Sequence, residues 1–247
     1  MYNPYSLEGK TILITGASSG IGRSTAIECS RLGAKLIITG RNETRLIETL
    51  DSLEGEGHEI RICDLNNIEA ISEMVSILPN LDGLVNNAGF TKLSPLQFIK
   101  EEDFKSIIQV DMIAPIMLMK YLVKKKKINK HASVVFTSSL AGLGQVSPGN
   151  LMYASCKGAI STFIRGAAIE LAPKYIRVNA VCPAMVETSI LSSGTISEEQ
   201  LDKDRQSYPL KRYGKPEEIA WAIIYLLSNA SSWTTGTNMV IDGGITL

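Results

Sequence analysis

The sequence lacks the features that mark nucleic-acid-binding and membrane proteins. It has no excess of charge, because 25 lysines and arginines balance 25 aspartates and glutamates in 247 residues. A neutral chain has no overall basic field with which to hold a nucleic acid or an anionic membrane surface, so we expect neither as a partner. Uninterrupted apolar runs such as residues 113–119 are far shorter than the roughly 20 residues that a membrane-spanning helix needs. We therefore predict no membrane span.

Cysteine and export signals are also scarce. The four cysteines are scattered along the chain, at Cys29, Cys63, Cys156 and Cys182. Their spacing is unlike that of zinc or redox sites, and free cysteines are commonly buried, so we expect reduced, inert thiols and no metal site. The first ten residues lack the charged start and the apolar stretch of an export signal. We expect a cytoplasmic protein.

The apolar residues of the chain predict one α/β domain. Hydrophobic side chains make up 45% of the sequence, which is enough for one sizeable core at this length. Short β-branched runs predict strands at 11–15, 36–39, 59–63, 83–85, 133–137, 177–181 and 239–242, and helical spacing predicts helices at 21–32, 44–53, 68–78, 101–124, 152–171 and 216–227. Strands and helices alternate, and most strands are apolar on both faces. We predict a single doubly wound Rossmann-type domain over residues 1–247, with a mostly seven-stranded parallel sheet and helices on both faces.

Residues 184–213 form the least regular part of the chain. They are the longest stretch without a predicted strand, although the charged residues 198–205 favour a short helix. Long irregular segments of compact domains often cover binding sites. We predict a substrate lid here, with Met185, Leu191 and Tyr208 as its apolar contacts.

A glycine-rich turn follows the first predicted strand. Residues 11–22 read TILITGASSGIG, in which Gly16, Gly20 and Gly22 lie between a strand and a helix. Glycine permits backbone angles and close ligand approach that a Cβ would prevent, and the free amides at a helix start attract phosphate. The order of strand, turn and helix favours a dinucleotide phosphate site. The spacing is GxxxGxG rather than the commoner GxGxxG, and a plain turn is the alternative.

Arg41 predicts the form of that dinucleotide. It lies about 18 residues beyond the glycine turn, where a dinucleotide fold reads the adenosine ribose at the tip of its second strand. An acidic residue would repel a 2′-phosphate, whereas the guanidinium of arginine matches one. The sequence therefore predicts NADP(H), with an ordinary surface arginine as the alternative. Asp64, at the tip of the third strand, is a candidate partner for the adenine amine.

Tyr153 and Lys157 form the candidate reaction centre. They are four residues apart and share one face of a predicted helix. The phenol of tyrosine has a pKa of about 10, and a nearby ammonium stabilises its phenolate. Ser139 and residues 86–89 follow two further strands, whose ends surround the ligand crevice of an open α/β sheet. The YxxxK spacing alone also arises from ordinary surface packing.

Taken together, these motifs closely resemble the short-chain dehydrogenase/reductase family. The agreement runs in order along nearly the whole chain. It comprises TGASSGIG at 15–22, DL at 64–65, NNAG at 86–89, SSLAG at 138–142, YASCK at 153–157, VNAVCPA at 178–184, Thr188, YGKPEEIA at 213–220 and TGTNMVIDGG at 235–244.

The resemblance implies an oxidoreductase that transfers hydride between a nicotinamide and a carbonyl or secondary alcohol. Tyr153 would donate a proton to the substrate oxygen, Ser139 would orient that oxygen, and Lys157 would lower the tyrosine pKa and hold the nicotinamide ribose. The cofactor supplies the hydride chemistry, and the protein supplies position and electrostatics. The implied cofactor-binding residues are Gly16, Ser18, Ser19, Gly20, Ile21, Arg41, Asp64, Leu65, Asn87, Ala88, Gly89, Tyr153, Lys157, Pro183, Val186 and Thr188.

Asp111 is the main departure from the family pattern. Relatives usually carry an asparagine there, in a VN pair, whereas this chain has Val110 followed by Asp111. We include Asp111 among the catalytic candidates, because its carboxylate could hold water and pair with Lys157, or tie up that ammonium. We expect Asp111→Asn to keep at least about half of the turnover.

The sequence leaves the carbonyl substrate open. The nearest resemblance is to NADPH-dependent 3-oxoacyl-acyl-carrier-protein reductases, which implies a 3-oxoacyl thioester presented by acyl carrier protein. Sugars and other small ketones are alternatives, because specificity on this scaffold resides in loops. A catalytically impaired NADP(H)-binding sensor is a further alternative. The interval between Ser139 and Tyr153 is slightly long, so loop 145–150 is expected to bulge beside the substrate.

Two further expectations concern macromolecular partners. The lysines at 124–127, 130 and 174 lie where the resembled reductases receive their acidic carrier. The alternative for the run at 124–127 is a solvated helix end, favoured by the helix dipole. The resemblance also implies a homotetramer built from the fourth and fifth helices and the last strand.

Overall fold

A seven-stranded parallel sheet forms the centre of the protein. The computed structural model describes residues 2–188 and 197–247. The strands are β1 (Thr11–Thr15), β2 (Lys35–Gly40), β3 (Glu59–Ile62), β4 (Leu81–Asn86), β5 (Ile128–Thr137), β6 (Arg177–Pro183) and β7 (Asn238–Ile241). They lie in the order β3-β2-β1-β4-β5-β6-β7, and neighbouring strands are parallel. The predicted doubly wound α/β fold is confirmed.

Helices cover both faces of the sheet. They are α1 (Gly20–Arg31), α2 (Glu43–Leu50), α3 (Ile68–Ile77), α4 (Glu101–Ile108), α5 (Ala114–Lys124), α6 (Leu151–Leu171), α7 (Glu198–Ser207) and α8 (Pro216–Leu227). Helices α2 and α3 each begin behind an asparagine whose side chain accepts a hydrogen bond from the third helical amide. A short π-helical segment, Gln109–Ile113, joins α4 to α5. The predicted helix 101–124 is therefore continuous but locally widened.

Alternate residues of each strand contribute to two hydrophobic cores. In β1, Leu13 faces the layer formed by α3, α5 and α6, while Ile12 and Ile14 face the layer that contains α1 and α8. All three side chains are fully buried. Burial of one such side chain contributes about 1.5–3 kcal/mol. The strands are apolar on both faces because helices cover both faces.

The strand order determines where a ligand can bind. The chain winds from β1 to β2 and β3 in one direction and then from β4 to β7 in the other. Open α/β sheets bind ligands at such a reversal, outside the carboxyl ends of the strands. The glycine turn follows β1, residues 87–89 follow β4, and Ser139 follows β5 shortly after its last residue. The fold therefore brings the predicted site segments to one edge of the sheet.

Two elements show where sequence patterns succeed and fail. Strand β5 begins at Ile128, earlier than the predicted residue 133, because the polar residues 129–131 conceal its start. The pairing of Leu81 with Ile128 extends β5 to this point. Helix α7 confirms the short helix predicted within residues 184–213, and a capping box between Ser197 and Gln200 begins it.

The continuous helix from Glu101 to Lys124 is long and apolar enough, by length and composition alone, to cross a membrane. In the fold, its α5 part packs against α3 and its α4 part against α6. Ala114, Leu118 and Leu122 are fully buried in one of the cores. Packing within the domain accounts for the apolar character of these positions.

The alternative interpretation of the lysine run at 124–127, a solvated helix end, holds only in part. The Lys125 ammonium donates a hydrogen bond to the Ser72 carbonyl oxygen (2.8 Å), and the Lys127 ammonium donates to the Leu78 carbonyl oxygen (2.5 Å). The bond from Lys127 caps the carboxyl-terminal end of α3, where helix carbonyls lack partners, and the bond from Lys125 reaches the middle of the same helix. Two of the four lysines are thus engaged in the fold.

Candidate active site

The backbone of the glycine turn allows no side chain at two positions. A Cβ on Gly16 would lie 2.8 Å from Ala88 Cα, and one on Gly22 would lie 2.3 Å from the Gly16 carbonyl oxygen. Gly16 and Gly20 also have positive φ angles, of 67° and 52°. Helix α1 begins at Gly20, and its first turn carries no acidic residue. The turn therefore presents helix amides at the crevice, as an anionic phosphate requires.

Asn87 holds the strand tips around this turn. Its side-chain amide donates to the carbonyl oxygens of Thr15 (3.2 Å) and Gly16 (3.4 Å), and its side-chain oxygen accepts from the Thr137 hydroxyl (3.2 Å). The Thr15 hydroxyl in turn accepts from the backbone amides of Asn87 (3.0 Å) and Ala88 (3.1 Å). These bonds join β1, β4 and β5 at their carboxyl ends. Sequence reasoning missed both threonines, although each occupies the last position of its strand.

Arg23 is a second residue that sequence reasoning missed. One guanidinium nitrogen donates to the Ser18 carbonyl oxygen (2.9 Å), the Arg45 carbonyl oxygen (3.1 Å) and the Glu48 carboxylate (2.9 Å). Arg23 therefore ties the glycine turn to α2. A basic residue on a helix gave no sequence signal for this role.

The candidate adenosine-binding residues lie together beyond β2 and β3. Arg41 follows the last residue of β2 and is exposed, and Asp64 follows the end of β3. A backbone hydrogen bond from Asn66 holds the pKa of Asp64 below its ordinary value, and the positive charge of Arg41 acts in the same direction. A cation and a carboxylate thus face solvent at the edge where the sequence places the adenosine.

Thr188 lies directly against the glycine turn. Its Cγ2 lies 3.2 Å from the point that a Cβ of Gly20 would occupy. The segment that leads to it leaves β6 at Pro183, and Val186 forms an isolated parallel bridge with Gly214. The structure therefore brings Val186 and Thr188, two of the predicted cofactor-binding residues, next to the predicted phosphate-binding turn.

The prediction that Tyr208 contacts the substrate is wrong. Tyr208 is buried in a cluster with Leu201 and Tyr213, and its ring meets that of Tyr213 edge to face at 5.6 Å. Its hydroxyl accepts a hydrogen bond from the Met185 amide (3.4 Å). The aromatic residue anchors residues 197–213 to the fold instead of facing the crevice. Met185 is exposed, and Leu191 lies outside the described residues.

The segment that carries Ser139 packs against helix α6. Its hydroxyl accepts a hydrogen bond from the Ala141 amide (3.2 Å) and caps the short 3-10 helix Leu140–Leu143. A Cβ on Gly142 would lie 2.6 Å from the Lys157 carbonyl carbon and oxygen, so glycine permits this close contact. The Ser138 hydroxyl also donates to the Lys157 carbonyl oxygen (3.1 Å). The SSLAG segment is therefore fixed against the helix that carries Tyr153 and Lys157.

Lys157 is buried between three elements. Its side-chain ammonium donates to the Thr137 carbonyl oxygen at the end of β5 (3.0 Å) and lies 3.1 Å from Asp111 Oδ1. It also lies 5.3 Å from the ring centroid of Tyr153. Burial acts to lower the pKa of Lys157, but the Asp111 carboxylate and the Tyr153 phenolate outweigh it and raise that pKa above its ordinary value. The ammonium therefore remains charged.

The pKa of Tyr153 lies above its ordinary value. Burial is the largest cause, the Lys157 ammonium opposes it, and the Asp111 carboxylate acts with burial. The ammonium thus favours the phenolate, as expected, but does not make the phenol a stronger acid than free tyrosine. A protonated phenol beside Ser139 and Lys157 is suited to donate a proton.

The rim of this centre is apolar and nearly uncharged. The Thr91 hydroxyl donates to the Asn150 side-chain oxygen (2.9 Å), which joins the segment after β4 to loop 145–150. The segments on either side of this bond carry exposed apolar side chains, namely Leu93, Leu96, Leu143, Val146 and Leu151. Residues 138–152 contain no charged side chain, and Lys92 is paired with Asp103 (2.7 Å). The rim is therefore suited to an uncharged, apolar part of a substrate.

The cysteines contribute no nucleophile to this centre. All four are buried. Burial raises the pKa values of Cys156 and Cys182, the two nearest the centre, to about 11. Both thiols are consequently protonated near neutral pH, as expected from the sequence.

Comparisons with known proteins agree with this site. Residues 16–246 match a family model described as enoyl-(acyl carrier protein) reductase. The 3-oxoacyl-[acyl-carrier-protein] reductase FabG of Rickettsia prowazekii is 35% identical over 239 residues, which cover 97% of this chain and 98% of that protein. A glucose 1-dehydrogenase of Gluconobacter oxydans is 34% identical over 97% of this chain and 92% of its own length.

Solved structures show the same architecture. A protein from Agrobacterium tumefaciens, assigned as a 2-deoxy-D-gluconate 3-dehydrogenase and solved with bound NADP, superposes with a TM-score of 0.90. It is 27% identical, and the alignment covers 99% of both chains. Fold and site together define an oxidoreductase. The chain belongs to the short-chain dehydrogenase/reductase family.

Proposed function

We propose that the protein is an NADP(H)-dependent carbonyl reductase whose substrate is a 3-oxoacyl thioester. The observation that carries this proposal is the placement of Lys157. It is fixed to the tip of β5 by the Thr137 carbonyl and lies beside Tyr153, on the helix against which the Ser139 segment packs. A proton donor, a cation and a hydroxyl thus meet at the carboxyl edge of the sheet, next to the glycine turn.

Three residues of the chain have separate roles in the proposed reaction. When bound, the nicotinamide cofactor supplies the hydride. Tyr153 donates the proton to the carbonyl oxygen. The Ser139 hydroxyl donates a hydrogen bond to that oxygen and stabilises the charge that develops on it. Lys157 stabilises the phenolate that Tyr153 leaves behind.

Arg41 supports the choice of NADP(H). Its exposed guanidinium at the tip of β2 is suited to a 2′-phosphate, and the acidic neighbour Asp64 lies one strand further out. A relative in the same family binds NADP in its solved structure. Thr188 lies against the glycine turn, so two of the predicted cofactor-binding segments are adjacent.

The apolar rim supports an acyl substrate over a sugar. A gluconate-like substrate carries a carboxylate and several hydroxyls, which call for cationic and polar partners. The rim offers Leu93, Val146 and Leu151, and its lysine is already paired with Asp103. The curated reductase from Rickettsia acts, by its name, on 3-oxoacyl groups. A sugar or other small-ketone reductase is the second candidate, because a glucose dehydrogenase matches over nearly the same length.

Presentation by acyl carrier protein is part of the proposal but needs a particular geometry. The lysines at 124–127, 130 and 174 lie at the amino-terminal ends of β5 and β6, opposite the reaction centre. The ten residues of β5 separate the two edges by about 30 Å. A carrier bound at these lysines would therefore lie about 30 Å from the reaction centre of the same chain. The homotetramer and the cytoplasmic location stay predictions, as does the lid formed by residues 184–213.

Two assays test the proposal. Fluorescence titration should show tighter binding of NADPH than of NADH, and Arg41→Asp should weaken NADPH binding at least about tenfold. Arg165→Asp, an exposed arginine on α6, is the matched control and should not. NADPH consumption should be fastest with 3-oxoacyl thioesters, slower with small ketones and slowest with gluconate-type sugars. Equal affinity for NADPH and NADH would overturn the assignment of the cofactor. A preference for sugars would overturn the assignment of a 3-oxoacyl substrate.

A further inference from the structure

Asp111 forms a buried ion pair in the reaction centre. Asp111 is 1% exposed and Lys157 is 4% exposed, and Asp111 Oδ1 lies 3.1 Å from the Lys157 ammonium nitrogen. The second carboxylate oxygen accepts a hydrogen bond from the Phe90 amide (3.1 Å). A buried pair of this kind exists only because each charge stabilises the other. The carboxylate is thus a fixed part of the centre.

Two backbone features make room for the carboxylate. Asp111 lies in the π-helical segment Gln109–Ile113, the widened turn between α4 and α5. A Cβ on Gly89 would lie 2.4 Å from Asp111 Oδ1 and 3.3 Å from the Lys157 ammonium nitrogen. Gly89 therefore leaves the space that the ion pair fills. Insertions of this type in helices are frequent at functional sites.

The ion pair changes the electrostatic environment of the Tyr153 phenol. The Lys157 ammonium alone would favour the phenolate, whereas the Asp111 carboxylate favours the neutral phenol. Burial raises the pKa of Asp111 above its ordinary value, and the Lys157 ammonium and the Phe90 amide act against that rise and favour the carboxylate. The other titratable neighbours are the thiols of Cys156 on α6 and Cys182 on β6. Burial raises both thiol pKa values to about 11. Burial is the largest cause of the raised Tyr153 pKa, and Asp111 and Lys157 are the two charged groups that act on it besides burial.

We propose that Asp111 is a positioning residue that holds Lys157 and keeps Tyr153 protonated to more alkaline pH, which adapts the site to carbonyl reduction. Reduction needs Tyr153 as an acid, whereas alcohol oxidation needs it as a base. A carboxylate at this position extends the pH range of the acid. This inference rests on the proposed function only for its reaction direction, since the ion pair and its effect on Tyr153 do not depend on the substrate.

A spectroscopic titration tests the charge effect without substrate or cofactor. The ultraviolet absorbance of tyrosinate is followed against pH in the unmodified protein, and the curve of Tyr153→Phe is subtracted. The midpoint for Tyr153 should lie at or above about 10, the value of free tyrosine. In Asp111→Asn, whose side chain keeps an acceptor for the Phe90 amide, the midpoint should fall by about one unit. Glu101→Gln removes an exposed carboxylate from the same helix and should leave the midpoint unchanged.

The pH profile of catalysis gives a second readout. NADPH consumption by the unmodified protein should decline only at alkaline pH, and the decline should move to lower pH in Asp111→Asn by the same amount as the absorbance midpoint. If Asp111→Asn does not fold, the midpoint of the unmodified protein still decides, because a value near 7 would overturn the proposal. An unchanged or raised midpoint in Asp111→Asn would also overturn the proposed role of Asp111. Loss of turnover in every assay would count against the proposed function and not against the ion pair.

Discussion

The Thr137 hydroxyl donates a hydrogen bond to the side-chain oxygen of Asn87, with 3.2 Å between the two oxygens. The bond links the tips of β4 and β5 and fixes the amide that holds the carbonyls of the glycine turn. Thr137→Val removes the donor while keeping the shape of the side chain. It should destabilise the protein by about 1–3 kcal/mol, because a mostly buried acceptor loses its partner.

Urea unfolding and NADPH titration measure this effect together. Thr11→Val, at the start of β1, is the matched control. It should change the free energy of unfolding and the affinity for NADPH by much less. Equal effects of the two substitutions would show that the bond between Thr137 and Asn87 has no special role.

Gly142→Ala tests the contact between the serine segment and α6. Its Cβ would lie 2.6 Å from the Lys157 backbone carbonyl, so the segment that carries Ser139 must move away. We expect a loss of about 1–3 kcal/mol in stability and at least about a tenfold loss of kcat. Gly166→Ala on α6 has nothing within 4 Å of its Cβ, among the residues described, and should stabilise by about 0.5–1 kcal/mol. Thermal unfolding of both variants provides the comparison, and similar shifts in Tm would refute the steric argument.

Lys157→Met removes the cation of the centre. Asp111 would then be a buried carboxylate without its partner, which costs about 3–5 kcal/mol unless the acid takes up a proton. Turnover should fall about 10²–10⁴-fold, because the Tyr153 phenolate is no longer stabilised. Asp111→Asn in the Lys157→Met background should recover part of the stability but none of the turnover. Additive loss of stability in the double variant would contradict the ion pair.

Glu218 makes part of the stability depend on pH. Two hydrogen bonds from Arg212 and one from the Lys215 amide, all 2.7 Å, lower the pKa of Glu218 to about 2. Because the folded pKa is below that of an unfolded glutamate, about 4.3, the contribution is complete above pH 4.3 and disappears as the pH falls toward 2. With 31% of the side chain exposed, we expect about 1 kcal/mol from Glu218→Gln at pH 7.

Urea unfolding at several pH values measures this contribution. The difference between the unmodified protein and Glu218→Gln should shrink below pH 4. Glu217→Gln, one residue away on α8, is the control and should show a smaller effect. A difference that persisted unchanged at pH 2 would rule out the ionised carboxylate as its source.

Local sequence patterns predicted the fold well because both helices and strands bury regular apolar faces. Ile12, Leu13 and Ile14 show this in β1, where side chains alternate between two helix layers. The start of β5 was not predictable, since Ile128 pairs with Leu81, which is distant in sequence, and the polar residues 129–131 lie in an irregular stretch between the paired residues Ile128 and Ser133. The misassigned Tyr208 has the same cause, because only the folded chain shows which aromatic residues face a cluster.

The chemistry of the site was predictable where it depends on residues close in sequence. The spacing of Tyr153 and Lys157 and the three glycines of the turn belong to this class. The supports that hold them do not, because Thr15, Arg23 and Thr137 each bond to residues more than 20 positions away in sequence. The effect of Asp111 was left open by the sequence, since it depends on a distance of 3.1 Å that no spacing reveals.

Substitution of Tyr153 by phenylalanine tests the account most directly. The variant keeps the ring and loses the hydroxyl, so NADPH binding measured by fluorescence should be nearly unchanged. NADPH consumption with a 3-oxoacyl thioester should fall at least about 10³-fold relative to the unmodified protein. Turnover that stayed within tenfold would contradict the assignment of Tyr153 as the proton donor.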